Sequence, residues 1–164
     1  MWYRLPVELF FQGEKYKVKV FATTLNSYNL AFNFEEFILT TPIVGAKKAK
    51  IDTVVEAWYR KQAKKKIVEQ VDRYCIKLLV HFNRMVIKDT KTRWGSCSSK
   101  GNLNFNYHLI KMPKEILEYV VIHEVCHLKH LNHSKEYWGL VESLCTDYKA
   151  RVKWVKENGG GFIG

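Results

Sequence analysis

Four of the six histidines fall between positions 123 and 133, and two of them bracket a glutamate in the string His123-Glu124-Val125-Cys126-His127. On a helix, residues four apart stand about 40° apart around the axis and one turn along it, so both imidazoles can reach a single ion. A zinc ion takes imidazole nitrogen at about 2.0–2.1 Å, and a catalytic zinc commonly has three protein ligands and one open position. Glu124 lies roughly 60–100° round the helix from the histidines. That is too far to displace a ligand and near enough to take a proton from a zinc-bound water. The pattern predicts hydrolysis, with His123 and His127 as ligands and Glu124 as general base.

A third ligand must come from later in the chain. His133 follows His127 by six residues, giving HExxHxxxxxH; His130, Glu136 and Glu142 are the competing donors. In a chain of this composition HExxH arises by chance roughly once in 60 sequences, and with a histidine at one fixed later position roughly once in 2,000. The same interval occurs in metzincins, where a glycine ends the helix; here that position is His130, so the turn is expected at Asn132, a residue type that tolerates positive φ. A purely structural zinc would want four closed ligands rich in Cys. Cys126 is a helical step off the histidine pair, and Cys75, Cys97, Cys126 and Cys145 contain no CxxC, so they read as small buried hydrophobes.

The elements that must position these residues follow from periodicity. Residues 15–20 alternate Lys with Tyr or Val, a strand with one wet face, and Gln12-Gly13-Glu14 turns it into a hairpin with residues 7–11. A second strand pair spans residues 29–41, ahead of Pro42 and Gly45. Thr53 and Glu56 have capping-box spacing, and Trp58, Ile67, Val71, Cys75, Leu78, Leu79 and Phe82 form the apolar stripe of a long helix. Short strands are expected at 85–87, 92–98 and 102–107, the last two joined at Gly101. A helix begins near Pro113 with Ile116, Leu117, Val120 and Val121 on its core side, and a final helix runs from Ser134 to about Lys156. The glycines at 159–161 read as a flexible tail.

With 164 residues, 47% of them apolar, the chain suits one compact α+β domain: an antiparallel β region over 1–45, a catalytic region over 46–158, and the tail 159–164. No apolar run approaches the roughly 20 residues of a membrane span, and the opening residues lack a signal-peptide pattern, so the expectation is a cytoplasmic monomer with no membrane partner. The net charge of +11 favours polyanions such as nucleic acid. Eight Lys or Arg against two acids lie in 47–66, which reads as a solvated helix face or an anion-binding ridge.

Residues 92–138 carry TRWGSCSSKGNLNFNYHLIKMP followed by YVVIHEVCHLKHLNHSKEYW. This stretch resembles the YgjP-like metallohydrolases, relatives of the SprT-like zinc proteases that include the Spartan-type DNA–protein crosslink proteases. The resemblance implies a zincin-like α+β domain, one zinc on His123, His127 and His133, Glu124 as catalytic base, and a metallopeptidase activity. It also leaves a nucleoside-triphosphate pyrophosphatase as the alternative activity; a third reading, from a different class, is a basic DNA-associated protein with a zincin site. Within RWGSC, Gly95 permits close backbone approach and Trp94 is a large apolar anchor. Trp94, Gly95, Ser96 and Cys97 either receive an extended peptide as an added strand or form a packed hairpin under the active helix. Arg93 either stabilises an oxyanion or phosphate at the cleft or makes a surface ion pair. Phe105, Tyr107, Tyr137 and Trp138 read as core.

Overall fold

The computed structural model describes residues 5–163, and positions 1–4 and 164 of the expected β region and tail lie outside them. Strands β1 (Glu8–Phe11) and β2 (Glu14–Thr23) form the expected hairpin. Its two-residue turn needs positive φ at both positions, which Gln12 (51°) and Gly13 (90°) adopt. The amides of Gln12 and Gly13 then donate to the carbonyls of Ile110 and Lys111, each at 2.9 Å, so the hairpin tip is tied to the chain entering the histidine helix. Strands β3 (Asn29–Phe32) and β4 (Phe37–Pro42) make a second antiparallel pair. The two hairpins join through parallel pairing of β2 with β4, Val18 opposite Phe37, in the order β1-β2-β4-β3.

Helix α1 (Lys48–Leu78) crosses behind both sheets and buries Tyr59, Ala63, Ile67, Val71, Tyr74, Cys75 and Leu78 at helical spacing. Its start differs from the expected capping box. Lys47 is the N-cap without a side-chain bond, while Thr53 Oγ1 donates to the Ala49 carbonyl within the helix and Glu56 pairs with Arg60. Thr53 already has a helical turn before it, so no free amide is left for it to cap. Leu79, expected in the buried stripe, is instead the left-handed C-cap, 87% exposed.

The second sheet has the order β5-β7-β6, from β5 (Arg84–Lys88), β6 (Gly95–Cys97) and β7 (Asn102–Asn106), with β5 parallel and β6 antiparallel to β7. Leu103 and Phe105 are buried toward the core. A 3-10 turn, Tyr107–Lys111, leads to α2 (Lys114–Cys126), which presents Ile116, Leu117, Val120 and Val121 inward and packs on β6.

The expected final helix is two helices, α3 (Lys135–Leu144) and α4 (Tyr148–Asn158). The chain breaks at Cys145, whose φ of −148° takes it out of the helix while its thiol stays buried. The bend lets Arg151 reach Glu118 on α2 at 3.3 Å and the Glu115 carbonyl at 2.9 Å. The glycine tail is not loose. Gly159–Phe162 form a 3-10 turn in which Gly159 is buried against Trp94 and the Phe162 ring meets Phe10 at 5.0 Å.

Candidate metal centre

The last turn of α2 carries His123, the C-cap residue His127 continues the same side with helical φ and ψ, and the chain beyond brings back His133. No residue in 127–133 has positive φ, so the expected left-handed Asn132 is absent. Instead the helix tightens: Leu128 N donates to the Val125 carbonyl at 3.0 Å and Lys129 N to the Cys126 carbonyl at 3.1 Å. These i to i+3 bonds turn the chain without a strained residue. Ser134 then starts α3 by accepting from the Tyr137 amide at 3.2 Å, as its residue type predicts.

The three histidines converge. Their available nitrogens lie within 4.8 Å of one another, and His123 Nε2 stands 3.3 Å from His133 Nε2. His127 Nδ1 lies 3.0 Å from the His130 carbonyl, which can only accept, so Nδ1 carries the proton and Nε2 has its lone pair free. His123 Nδ1 faces the Tyr119 hydroxyl at 3.3 Å. Tyr137 is fully buried beneath the trio; its hydroxyl donates to the His123 carbonyl at 2.9 Å and its ring stacks on His127 at 4.5 Å. Trp138 stacks on His133 at 5.6 Å. Such partners fix ring orientation around a metal.

Electrostatics prepare the same residues. Burial, reinforced by His127 and His133, lowers the His123 pKa to about 4, and burial lowers that of His127. Neutral imidazole is the ligating form, so burial favours the form of His123 and His127 that takes an ion. Burial pushes the Glu124 carboxyl up to about 8; a cation beside it would draw it back down.

The donor set suits a divalent ion with an open position. His130 offers its backbone carbonyl to His127 rather than its ring to the trio. Glu136 and Glu142 are exposed on α3 and stand outside the group, and Cys126 is buried with a thiol pushed up to about 12. His133 is exposed, which opens one side of the site to solvent.

The structure brings part of the RWGSC segment to this centre. Arg93, Trp94 and Gly95 share with Tyr119, His123 and Glu124 a cleft of about 210 Å³. A Cβ built on Gly95 would stand 2.8 Å from Glu124 Cγ and Oε1, so only glycine lets β6 lie this close to the carboxylate. Cys97, on the same inner face, has its thiol raised to about 11, first by burial and then by Glu124. Ser96 faces away and accepts a hydrogen bond from Asn104 at 3.1 Å. Arg93 makes no ion pair with a described residue. Sequence reasoning missed Tyr119, although it stands four residues before His123 and the helical spacing that joined His123 to His127 would have found it.

The family profile described as YgjP-like, metallopeptidase domain, matches residues 3–158. The chain belongs to that family. It is therefore a domain of a metallopeptidase family, consistent with a divalent metal at a histidine trio. Two crystal structures of metallopeptidase zymogens are similar to this YgjP-like domain. Jannalysin of Methanocaldococcus jannaschii is 22% identical with a TM-score of 0.45, over 52% of this chain and 92% of that one. Abylysin of Pyrococcus abyssi is 21% identical with a TM-score of 0.46, over 52% and 90%. No curated protein matches the chain.

Proposed function

We propose that this YgjP-like domain is a zinc-dependent peptidase, with zinc on His123, His127 and His133 and with Glu124 as the base that moves the proton. The observation that carries the reading is the convergence of three imidazoles within 4.8 Å of one another, one of which, His123, lines a cleft together with Glu124. Zinc held there supplies Lewis acidity, which lowers the pKa of water toward 7 and polarises a carbonyl. Glu124, whose carboxyl a cation beside it would draw down from about 8, would then be a carboxylate that takes a proton from the attacking water and passes it to the departing amine nitrogen. β6, the edge strand of its sheet among the described residues, supports the peptide as an added strand, holding the scissile bond over the site. Among the described residues no helix is long and apolar enough to cross a membrane. The reading takes one zinc per chain, a cytoplasmic monomer, a protein or peptide substrate, and nucleic acid as a further partner of the basic surface.

The deciding experiment compares zinc-loaded wild type with Glu124→Gln on unfolded protein, with and without single-stranded DNA, and on nucleoside triphosphates. Wild type should cleave protein, while Glu124→Gln should keep its zinc and lose turnover by at least about a hundredfold. Equal turnover removes Glu124 from its role. Pyrophosphate release without proteolysis moves the activity to nucleotides. His133→Ala should lose zinc; retention there, with loss in Glu142→Ala, would reassign the third ligand.

A further inference from the structure

Among the described residues β6 is the edge strand of its sheet, and its two faces differ. Gly95 and Cys97 pair with Phe105 and Leu103, which are buried, so they belong to the inner face toward α2. Ser96 pairs with Asn104, and the two side chains meet on the outer face. That outer face holds a cavity of about 110 Å³ lined by two cations, Lys88 and Arg93, and by the neutral hydrogen-bonding groups of Thr90, Ser96 and Asn104. It shares Arg93, Trp94 and Gly95 with the cleft that contains His123 and Glu124.

The cations are uncompensated. No carboxylate lines the cavity, and neither Lys88 nor Arg93 has an acidic partner within 4.0 Å among the described residues. Asp89, which lies between Lys88 and Thr90 in sequence, is directed to buried His108 at 3.4 Å. The loop bearing Arg93 is tied down: Thr90 Oγ1 donates to the Arg93 carbonyl and Asn106 Nδ2 to the Thr90 carbonyl, each at 2.7 Å. The volume is several times the ~10–15 Å³ that one water requires.

An extended peptide paired with β6 alternates its side chains between the two faces. Every second residue therefore rises on the Ser96 face, from which the cavity extends across β7 to Lys88 on β5 and to Arg93. We propose that this cavity is a substrate subsite for a carboxylate, supplied by an Asp or Glu side chain near the scissile bond or by the peptide's own C-terminus. The proposal rests on the peptidase reading and adds a substrate class to it. Arg and Lys bind carboxylate through charge-assisted bonds, and Ser96 and Asn104 supply further hydrogen-bonding groups. A bounded cavity sharing a wall with the cleft suits one carboxylate better than the long row of phosphates in a nucleic acid.

The test uses fluorescent peptides that differ only by Glu, Gln or Lys at each of three positions on either side of the cleaved bond, made as free acids and as C-terminal amides. One readout is kcat/KM of the zinc-loaded wild type. The other is Kd by fluorescence anisotropy on zinc-loaded Glu124→Gln, which needs no turnover. Glu should be preferred to Gln by about tenfold at positions on one face of the strand, less so at about 0.5 M salt. If the C-terminus is the source, amidation removes the advantage instead. In the double variant Lys88→Glu, Arg93→Glu the preference should turn toward Lys, and the single variants Lys88→Gln and Arg93→Gln, with zinc content checked, guard against misfolding of the double.

Cleavage with no charge preference overturns the subsite and leaves the peptidase. A Glu preference in binding with no cleavage leaves the subsite and removes the peptidase. Absence of peptide binding removes both. A preference unchanged in the double variant overturns the assignment to Lys88 and Arg93. So does a single-stranded oligonucleotide that loses affinity in the double variant while the peptides do not.

Discussion

Glu124 sits where a side chain on Gly95 would be, and the two positions therefore answer to each other. The added Cβ of Gly95→Ala would come within 2.8 Å of Glu124 Cγ and Oε1. What must give way is a side chain that can rotate, not backbone, so the fold should survive and the carboxylate should move. A misplacement of about 1 Å at a reacting group costs on the order of a hundredfold in rate. Gly95→Ala should therefore lower kcat/KM by about that factor while binding one zinc per chain with near wild-type affinity. Zinc titration and peptide kinetics on the same preparation check this, and full activity would show that Glu124 does not need its present position. The dependence was only half legible beforehand: Gly95 announced a close backbone approach, but its neighbour belongs to a helix 29 residues further along.

Helices and strands were legible where the signal repeats along one element. Ile67, Val71, Cys75 and Leu78 marked the buried side of α1, and His123 and His127 shared a face because the C-cap His127 keeps the helical φ and ψ of α2. Signals that depend on a distant partner were not legible. The parallel pairings β2 with β4 and β5 with β7 join segments far apart in sequence, and neither Pro nor Gly marks the break at Cys145. The end of α1 shows how a pattern misleads. Leu79 continues the apolar spacing, yet it adopts φ 54° and ψ 47°, closing the helix through its amide on Cys75 and Ile76 with its side chain in solvent. A left-handed conformation costs an L-residue roughly 1–2 kcal/mol, whereas glycine adopts it freely and loses about 0.5–1 kcal/mol in unfolded-state entropy. Leu79→Gly should therefore stabilise the protein by about 0.5 kcal/mol, with no change in zinc affinity. A urea midpoint that falls would mean the exposed leucine has a packing partner.

At the scale of the whole molecule, the end of the described chain closes the domain. Phe162 meets Phe10 of β1 at 5.0 Å and Trp154 of α4 at 5.8 Å, and Gly159 lies against the Trp94 ring, where an added Cβ would stand 3.3 Å away. The first hairpin is fixed at its tip as well, through Gln12 and Gly13 to the turn before α2. Phe162 thus links the N-terminal sheet to α4, and Gly159, three residues earlier, supports the tryptophan beside Arg93 and Gly95. Truncating a buried Phe to Ala costs about 3–5 kcal/mol; Phe162 is half-buried, so about 2 kcal/mol is expected. For a chain of this length that lowers Tm by roughly 4–8 °C. The form of the change matters as much as its size. If the sheet and the helices around the histidine trio unfold together, Phe162→Ala shifts one calorimetric transition and leaves it single. Two transitions, one staying at the wild-type temperature, would show that residues 5–45 and the helices fold independently, with Phe162 resting on both without joining them.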